Sequence, residues 1–109
     1  MREEILAYIR KNGDASFANL DRLLGERCKG DLCWEFGNNV ILWFGMSHEF
    51  CETLREMKLK GEIEIVPCQP LIYLIDGAFP NAPIAKRPTS KGYKKEHWLP
   101  VVFHLGKAA

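Results

Sequence analysis

The chain has 109 residues, 47% apolar and 27% charged, which excludes a disordered polymer and fits one domain with a core of its own. Its net charge of +1 gives no bulk attraction to a polyanion, and no apolar run approaches the ~18 residues needed to span a bilayer. The opening Met1-Arg2-Glu3-Glu4 places acids where a secretory leader has a basic start and an apolar run. The expected compartment is therefore the cytoplasm, and the four cysteines are expected as thiols or metal ligands before disulfides.

The first predicted helix begins near Glu3 and Glu4, whose charge suits a helix N-terminus, and carries Ile5, Leu6 and Ile9 on one face. Arg10 and Lys11 suit its end, and Asn12-Gly13 supplies the stop. A short second helix follows, with Ser16 as N-cap, Phe17, Leu20, Leu23 and Leu24 at helical spacing, and Gly25 as terminator.

Between residues 26 and 46 the period changes to two. Leu32, Trp34 and Phe36 alternate with Cys33 and Glu35, Gly37-Asn38-Asn39 offers a turn that tolerates positive φ, and Val40 to Phe44 is rich in strand formers. This predicts a hairpin over about 32–44, or an irregular loop leading into one strand. A third helix is predicted over about 48–60, capped by Ser47, with Phe50, Leu54 and Met57 as its apolar stripe and Gly61 at its end. Glu62 to Val66 alternates, Pro67-Cys68-Gln69-Pro70 reads as a turn, and Leu71 to Ile75 reads as a returning strand, so a second hairpin is predicted.

From Ala78 the composition shifts. Pro80, Pro83 and Pro88 stand among small polar residues and predict an extended arm. Six basic residues, Lys86, Arg87, Lys91, Lys94, Lys95 and Lys107, face the single acid Glu96, a net of +5. The first 77 residues hold nine basic against thirteen acidic residues, a net of −4. Such asymmetry fits a polyanion partner or a solvated tail. Leu99 to Leu105 is apolar again, so the chain end is expected to pack back on the domain, with Trp98 as a core anchor.

In this order of elements, residues 2 to 77 resemble the winged-helix (winged helix-turn-helix) superfamily. The carriers are Leu54, Met57, the Lys60-Gly61-Glu62-Ile63 junction and Tyr73-Leu74. The resemblance implies an α+β fold of three helices and a two-stranded wing, here with an extra hairpin or strand between the second and third helices. It places a winged-helix-like domain at 1–77 and a basic, proline-containing extension at 78–109. It also implies binding to duplex DNA, with the third helix in the major groove and the hairpin on the backbone. Carried over by position, the helix would offer His48, Thr53, Arg55 and Lys58, beside the acids Glu49, Glu52 and Glu56. Those acids repel phosphate, so much of the affinity is assigned to Lys86, Arg87, Lys91, Lys94 and Lys95, with Tyr93 available to stack.

Cys28 and Cys33 stand as C-x4-C, and His48 and Cys51 as H-x2-C, which together could form a Cys3His metal site. No standard finger spacing is present, and the leading expectation is no metal and no cofactor. Cys68, in the predicted turn, is expected to be exposed. His97 and His104 read as packing or surface residues. The chain has no glycine-rich phosphate loop, H-E-x-x-H, G-x-S-x-G or C-x-x-C motif, and its one close Cys–His pair lies on a helix that must also supply core. The expected function is thus non-catalytic nucleic-acid binding by a small regulator of transcription. The alternative is a winged-helix module that meets another protein or a second copy of itself, through an apolar surface around Trp34, Phe36, Trp43 and Phe44.

Overall fold

A computed structural model describes residues 1–35, 39–76 and 97–109. The fold is α+β, with four α-helices and two small sheets among these residues. Helix α1 (Arg2–Asn12) buries Ile5, Leu6 and Ile9, and Gly13 at φ 89° ends it in a conformation that suits glycine. The two-residue strand β1 (Ala15–Ser16) leads straight into α2 (Phe17–Leu24). Ser16 and Asn19 form a reciprocal capping box: Ser16 Oγ accepts from Asn19 N–H and Asn19 Oδ1 accepts from Ser16 N–H, each at 3.0 Å.

A single 3-10 turn (Gly25–Cys28) then starts the predicted hairpin, which is present as β2 (Lys29–Glu35) and β3 (Val40–Met46) in antiparallel pairing. Its ladder shifts register three times, and β2 is largely exposed while β3 is largely buried. Asn39 sits at φ 59°, as the turn residues suggested; Phe36, Gly37 and Asn38 lie outside the described residues. Helix α3 (His48–Leu59) is capped by Ser47, whose Oγ accepts from Phe50 N–H at 3.1 Å.

The predicted second hairpin needs a correction. Strand β4 (Ile63–Pro67) is present, but Leu71–Asp76 is a helix, α4, and not the returning strand. Ile72 N–H bonds to the Gln69 carbonyl and Tyr73 N–H to the Pro70 carbonyl, so Pro70 opens a helical turn where a strand was expected. A short apolar run such as Leu-Ile-Tyr-Leu-Ile is ambiguous between strand and buried helix, and tertiary contact decides.

The partner of β4 comes from the chain end. Strand β6 (Val101–Leu105) pairs with it antiparallel over five residues, from Ile63 opposite Leu105 to Pro67 opposite Val101. The sheet order is β1-β6-β4, with β6 in the centre and Phe103 opposite both Ala15 and Ile65. Just before it, β5 (His97–Trp98) runs parallel to β3 and completes the second sheet, β2-β3-β5. Residues 97–105 thus stitch the two sheets together.

The core lies where these layers meet. The Phe17 ring stacks on Trp43 at 5.4 Å and meets Phe103 edge-on at 4.9 Å; Phe50 and Trp34 approach its other sides. Trp98 is fully buried, as expected of a core anchor, and packs edge-on against Tyr73 at 5.0 Å. Such aromatic pairs add about 0.5–1.5 kcal/mol each beyond their burial. Trp43 is also buried, which removes it from the apolar surface the sequence suggested; of that surface's other members Phe44 is 48% exposed, Trp34 is half-buried, and Phe36 lies outside the described residues.

Candidate nucleic-acid interface

Amphipathic spacing sets the orientation of α3. Phe50, Leu54 and Met57 enter the core, so His48, Glu49, Arg55, Glu56 and Lys58 are left exposed, with Glu52 and Thr53 half-buried at the margin. Ser47 Oγ, besides capping the helix, donates to the Arg27 carbonyl at 2.7 Å and fixes the helix entrance against the 3-10 turn. The acids on this face are only partly neutralised. Arg55 lies 3.7 Å from Glu52, which ties up the one arginine that α3 presents.

The second group of expected contacts, Lys86, Arg87, Tyr93, Lys91, Lys94 and Lys95, lies outside the described residues. Their place in the chain is nevertheless informative. Because β4 pairs directly with β6, the whole stretch from 68 to 100 is a connection between two adjacent strands, and the basic cluster belongs to that connection.

Negative charge at the entrance to β4 is also less than the sequence implies. Glu62 is 6% exposed and receives Arg2, whose Nε lies 2.9 Å from Oε2; the guanidinium holds this carboxyl below its ordinary range. Sequence reasoning missed this pair, because 60 positions separate its members and no local pattern links them. A second pair joins Glu4 to Arg27 through contacts of 2.7 and 2.6 Å, and the arginine holds the Glu4 carboxyl down to about 2.

The cysteines do not gather. Cys28 is buried with its Sγ 3.2 Å from Asp21 Oδ1, Cys33 is exposed, and Cys51 lies 3.9 Å from the Met46 sulfur. Among the described residues no three His, Cys, Asp or Glu side chains stand close enough to hold a metal ion, so Cys28, Cys33, His48 and Cys51 form no shared site. The physical reason is that Cys28 points inward from the 3-10 turn while β2 carries Cys33 out to solvent. Cys68 also differs from expectation: it is half-buried against the core, and desolvation, with Asp14 nearby, pushes its thiol up to about 11. Burial and Asp21 push Cys28 to about 11 as well.

An open groove is lined by Lys58 of α3, Gly61, residues 63–66 of β4, Lys107 and Ala108. Among the described residues no helix is long and apolar enough to cross a membrane.

No family model matches the chain, and no curated protein or solved structure is significantly similar to it.

Proposed function

We propose that the chain is a non-catalytic nucleic-acid-binding protein of winged-helix type that acts on duplex DNA. What supports the architecture is that α1, α2 and α3 precede the antiparallel pair β4 and β6, with the β2-β3 hairpin inserted before α3 and with α4 and β5 inserted between the paired strands. The observation that carries the function is the location of the basic cluster. By sequence number, Lys86, Arg87, Lys91, Lys94 and Lys95 fall within the connection between β4 and β6, which also holds α4 and β5 and which this reading takes as the counterpart of a wing. A wing contacts the duplex backbone, where lysine and arginine gain most by releasing counterions. His48, Thr53 and Lys58 on α3 would position the helix, and its acids would confine it to a supporting part in affinity.

The test is fluorescence anisotropy of the reduced protein on mixed-sequence duplex DNA across a salt series. Displacement of several counterions gives a log–log slope of roughly −3 to −5. Replacing Lys86, Arg87, Lys91, Lys94 and Lys95 together with alanine is expected to flatten that slope to near zero. Absence of binding at low salt sinks the proposal.

One observation favours a protein-interaction reading instead. Leu71, Ile72 and Ile75 of α4, a helix that packs against α2, are 61%, 37% and 77% exposed. Light scattering across a concentration series separates the two, since self-association through these side chains raises the mass without DNA.

A further inference from the structure

β2 is the outer strand of its sheet. β3 occupies one side of it, and among the described residues no strand occupies the other. The strand is open to solvent along its length: Lys29 to Cys33 and Glu35 are all exposed, and Trp34 is half-buried. At Gly30 the exposed surface is main chain, since glycine has no side chain to offer. No proline interrupts the strand, so each of its seven residues carries an N–H as well as a C=O. The ladder to β3 leaves part of it over. Lys29 and Leu32 both register with Met46, so Gly30 and Asp31 between them have no residue of β3 opposite. A bulge of this kind bends the strand and sets main-chain groups outside its ladder.

The charges along this edge are complementary to themselves. Lys29 stands at one end, Glu35 at the other, and Leu32, 43% exposed, at the midpoint. Glu35 has no ion-pair partner among the described residues. Lys29 has one exposed contact, with Glu26 Oε1 at 3.5 Å. A pair so exposed contributes little, and Lys29 can meet a second carboxylate without losing it. Two antiparallel copies of the strand centred on Leu32 set Lys29 of each opposite Glu35 of the other. Gly30 then lies opposite Trp34, Asp31 opposite Cys33, and Leu32 opposite itself. Centred on Asp31, the same strands would set two aspartates face to face. Centred on Cys33, they would set Asp31 against Glu35. Like charges directly opposite are destabilising, so the charges select the axis at Leu32.

We propose that this chain pairs with a second copy of itself, β2 against β2 in antiparallel register, across a two-fold axis at Leu32. Such an interface presents the same patch from both copies and closes at a dimer. Main-chain bonds across the axis supply the affinity, and the two Lys29–Glu35 pairs supply the register. The contact is one strand wide, so the dimer is weak and its population follows protein concentration. Neither the outer face of α3 nor the basic cluster takes part, so the pairing is independent of the nucleic-acid reading. The exposed side chains of α4 take no part either.

Sedimentation equilibrium of the reduced protein without DNA, over a wide concentration range, measures the dimer. Lys29→Glu gives the edge two glutamates and Glu35→Lys gives it two lysines. Each variant alone should dimerise about ten-fold more weakly than wild type, as for two reversed surface charge pairs. Mixed in equal amounts, the two variants should associate with each other at wild-type strength, because every glutamate then faces a lysine. Both substitutions fall on exposed residues, and the far-ultraviolet spectrum of each variant should match wild type. The axis is read by oxidative cross-linking. Leu32→Cys combined with Cys33→Ser should form a disulfide between copies, whereas the native Cys33, opposite Asp31, should not. A monomer at every concentration overturns the proposal, as does ready cross-linking through native Cys33. So does a dimer indifferent to both charge reversals, which would assign self-association to the exposed side chains of α4.

Discussion

The hydroxyl of Tyr73 accepts a hydrogen bond from the backbone N–H of Phe17 at 2.9 Å, across 56 positions of sequence. The same hydroxyl donates to the Val101 carbonyl, so one side chain satisfies the first turn of α2 and the start of β6 together. Tyr73 is fully buried, and its ring lies between Trp43 and Trp98. This is why α4 is a helix: a turn beginning at Pro70 delivers the tyrosine to a position where two main-chain groups converge.

Tyr73→Phe keeps the ring and removes the hydroxyl, leaving a buried N–H and a buried C=O short of a partner. The expected loss is about 1–3 kcal/mol in urea unfolding, with an unchanged far-ultraviolet spectrum. An unchanged midpoint would show that solvent or a backbone shift replaces both bonds.

A chain ending at Gly77 retains α1, α2, α3 and β4 but lacks the central strand β6 and the buried Trp98 and Phe103. Without β6, strands β1 and β4 have no shared neighbour, and Phe17 loses the aromatic face supplied by Phe103. The truncated chain should show no cooperative thermal transition. In the full-length protein, Phe103→Ala should cost about 3–5 kcal/mol. A sharp transition in the truncated chain would instead make residues 1–77 a folding unit.

Two carboxylates tie α1 to distant parts of the fold, Glu4 with Arg27 and Glu62 with Arg2. Each titrates below its ordinary value of 4.5, Glu4 at about 2. A carboxylate lowered in the folded state stabilises it fully above the unfolded value, and this contribution fades as pH falls through that value toward the folded one. Thermal stability should therefore fall between roughly pH 5 and 2. Glu4→Gln and Glu62→Gln should each flatten that decline while lowering stability at pH 7. Parallel pH profiles for wild type and both variants would remove these pairs from the account.

Exposure and thiol ionisation divide the cysteines. Cys33 is exposed, whereas burial raises the thiols of Cys28, Cys51 and Cys68. Alkylation with iodoacetamide at pH 8, followed by peptide mass spectrometry, should mark Cys33 first and the other three only on unfolding. Early labelling of Cys68 would mean that its pocket opens readily in the native state.

Gly106 marks a close backbone approach. A Cβ there would lie 2.2 Å from the Gly61 carbonyl oxygen, a rigid main-chain neighbour. Gly106→Ala should cost about 1–3 kcal/mol by prying the ends of β4 and β6 apart. Hydrogen exchange should then accelerate first at Gly106 and Ala108, whose N–H groups bond to the Glu62 and Gly61 carbonyls and so join these two ends.

Local chemistry was readable in the chain itself. Ser16 and Ser47 announce their helices because a hydroxyl before an apolar-periodic run satisfies orphan N–H groups, and Gly13 and Gly61 adopt the positive φ their residue type allows. The period of two around Trp34, and the strand formers from Val40 to Phe44, gave the extra hairpin. The candidate contacts of α3 followed from its stripe, since Phe50, Leu54 and Met57 leave the opposite face to solvent. What the sequence alone determined was thus the set of elements whose partners lie within one turn or one period. The tertiary structure decided the rest: that Leu71–Asp76 is a helix, that β4 pairs with β6 across more than thirty intervening residues, that Arg2 meets Glu62, and that the basic cluster lies inside a strand connection. These outcomes depend on contacts between distant segments, and a local pattern carries no information about which distant apolar run will fill a given place in the core.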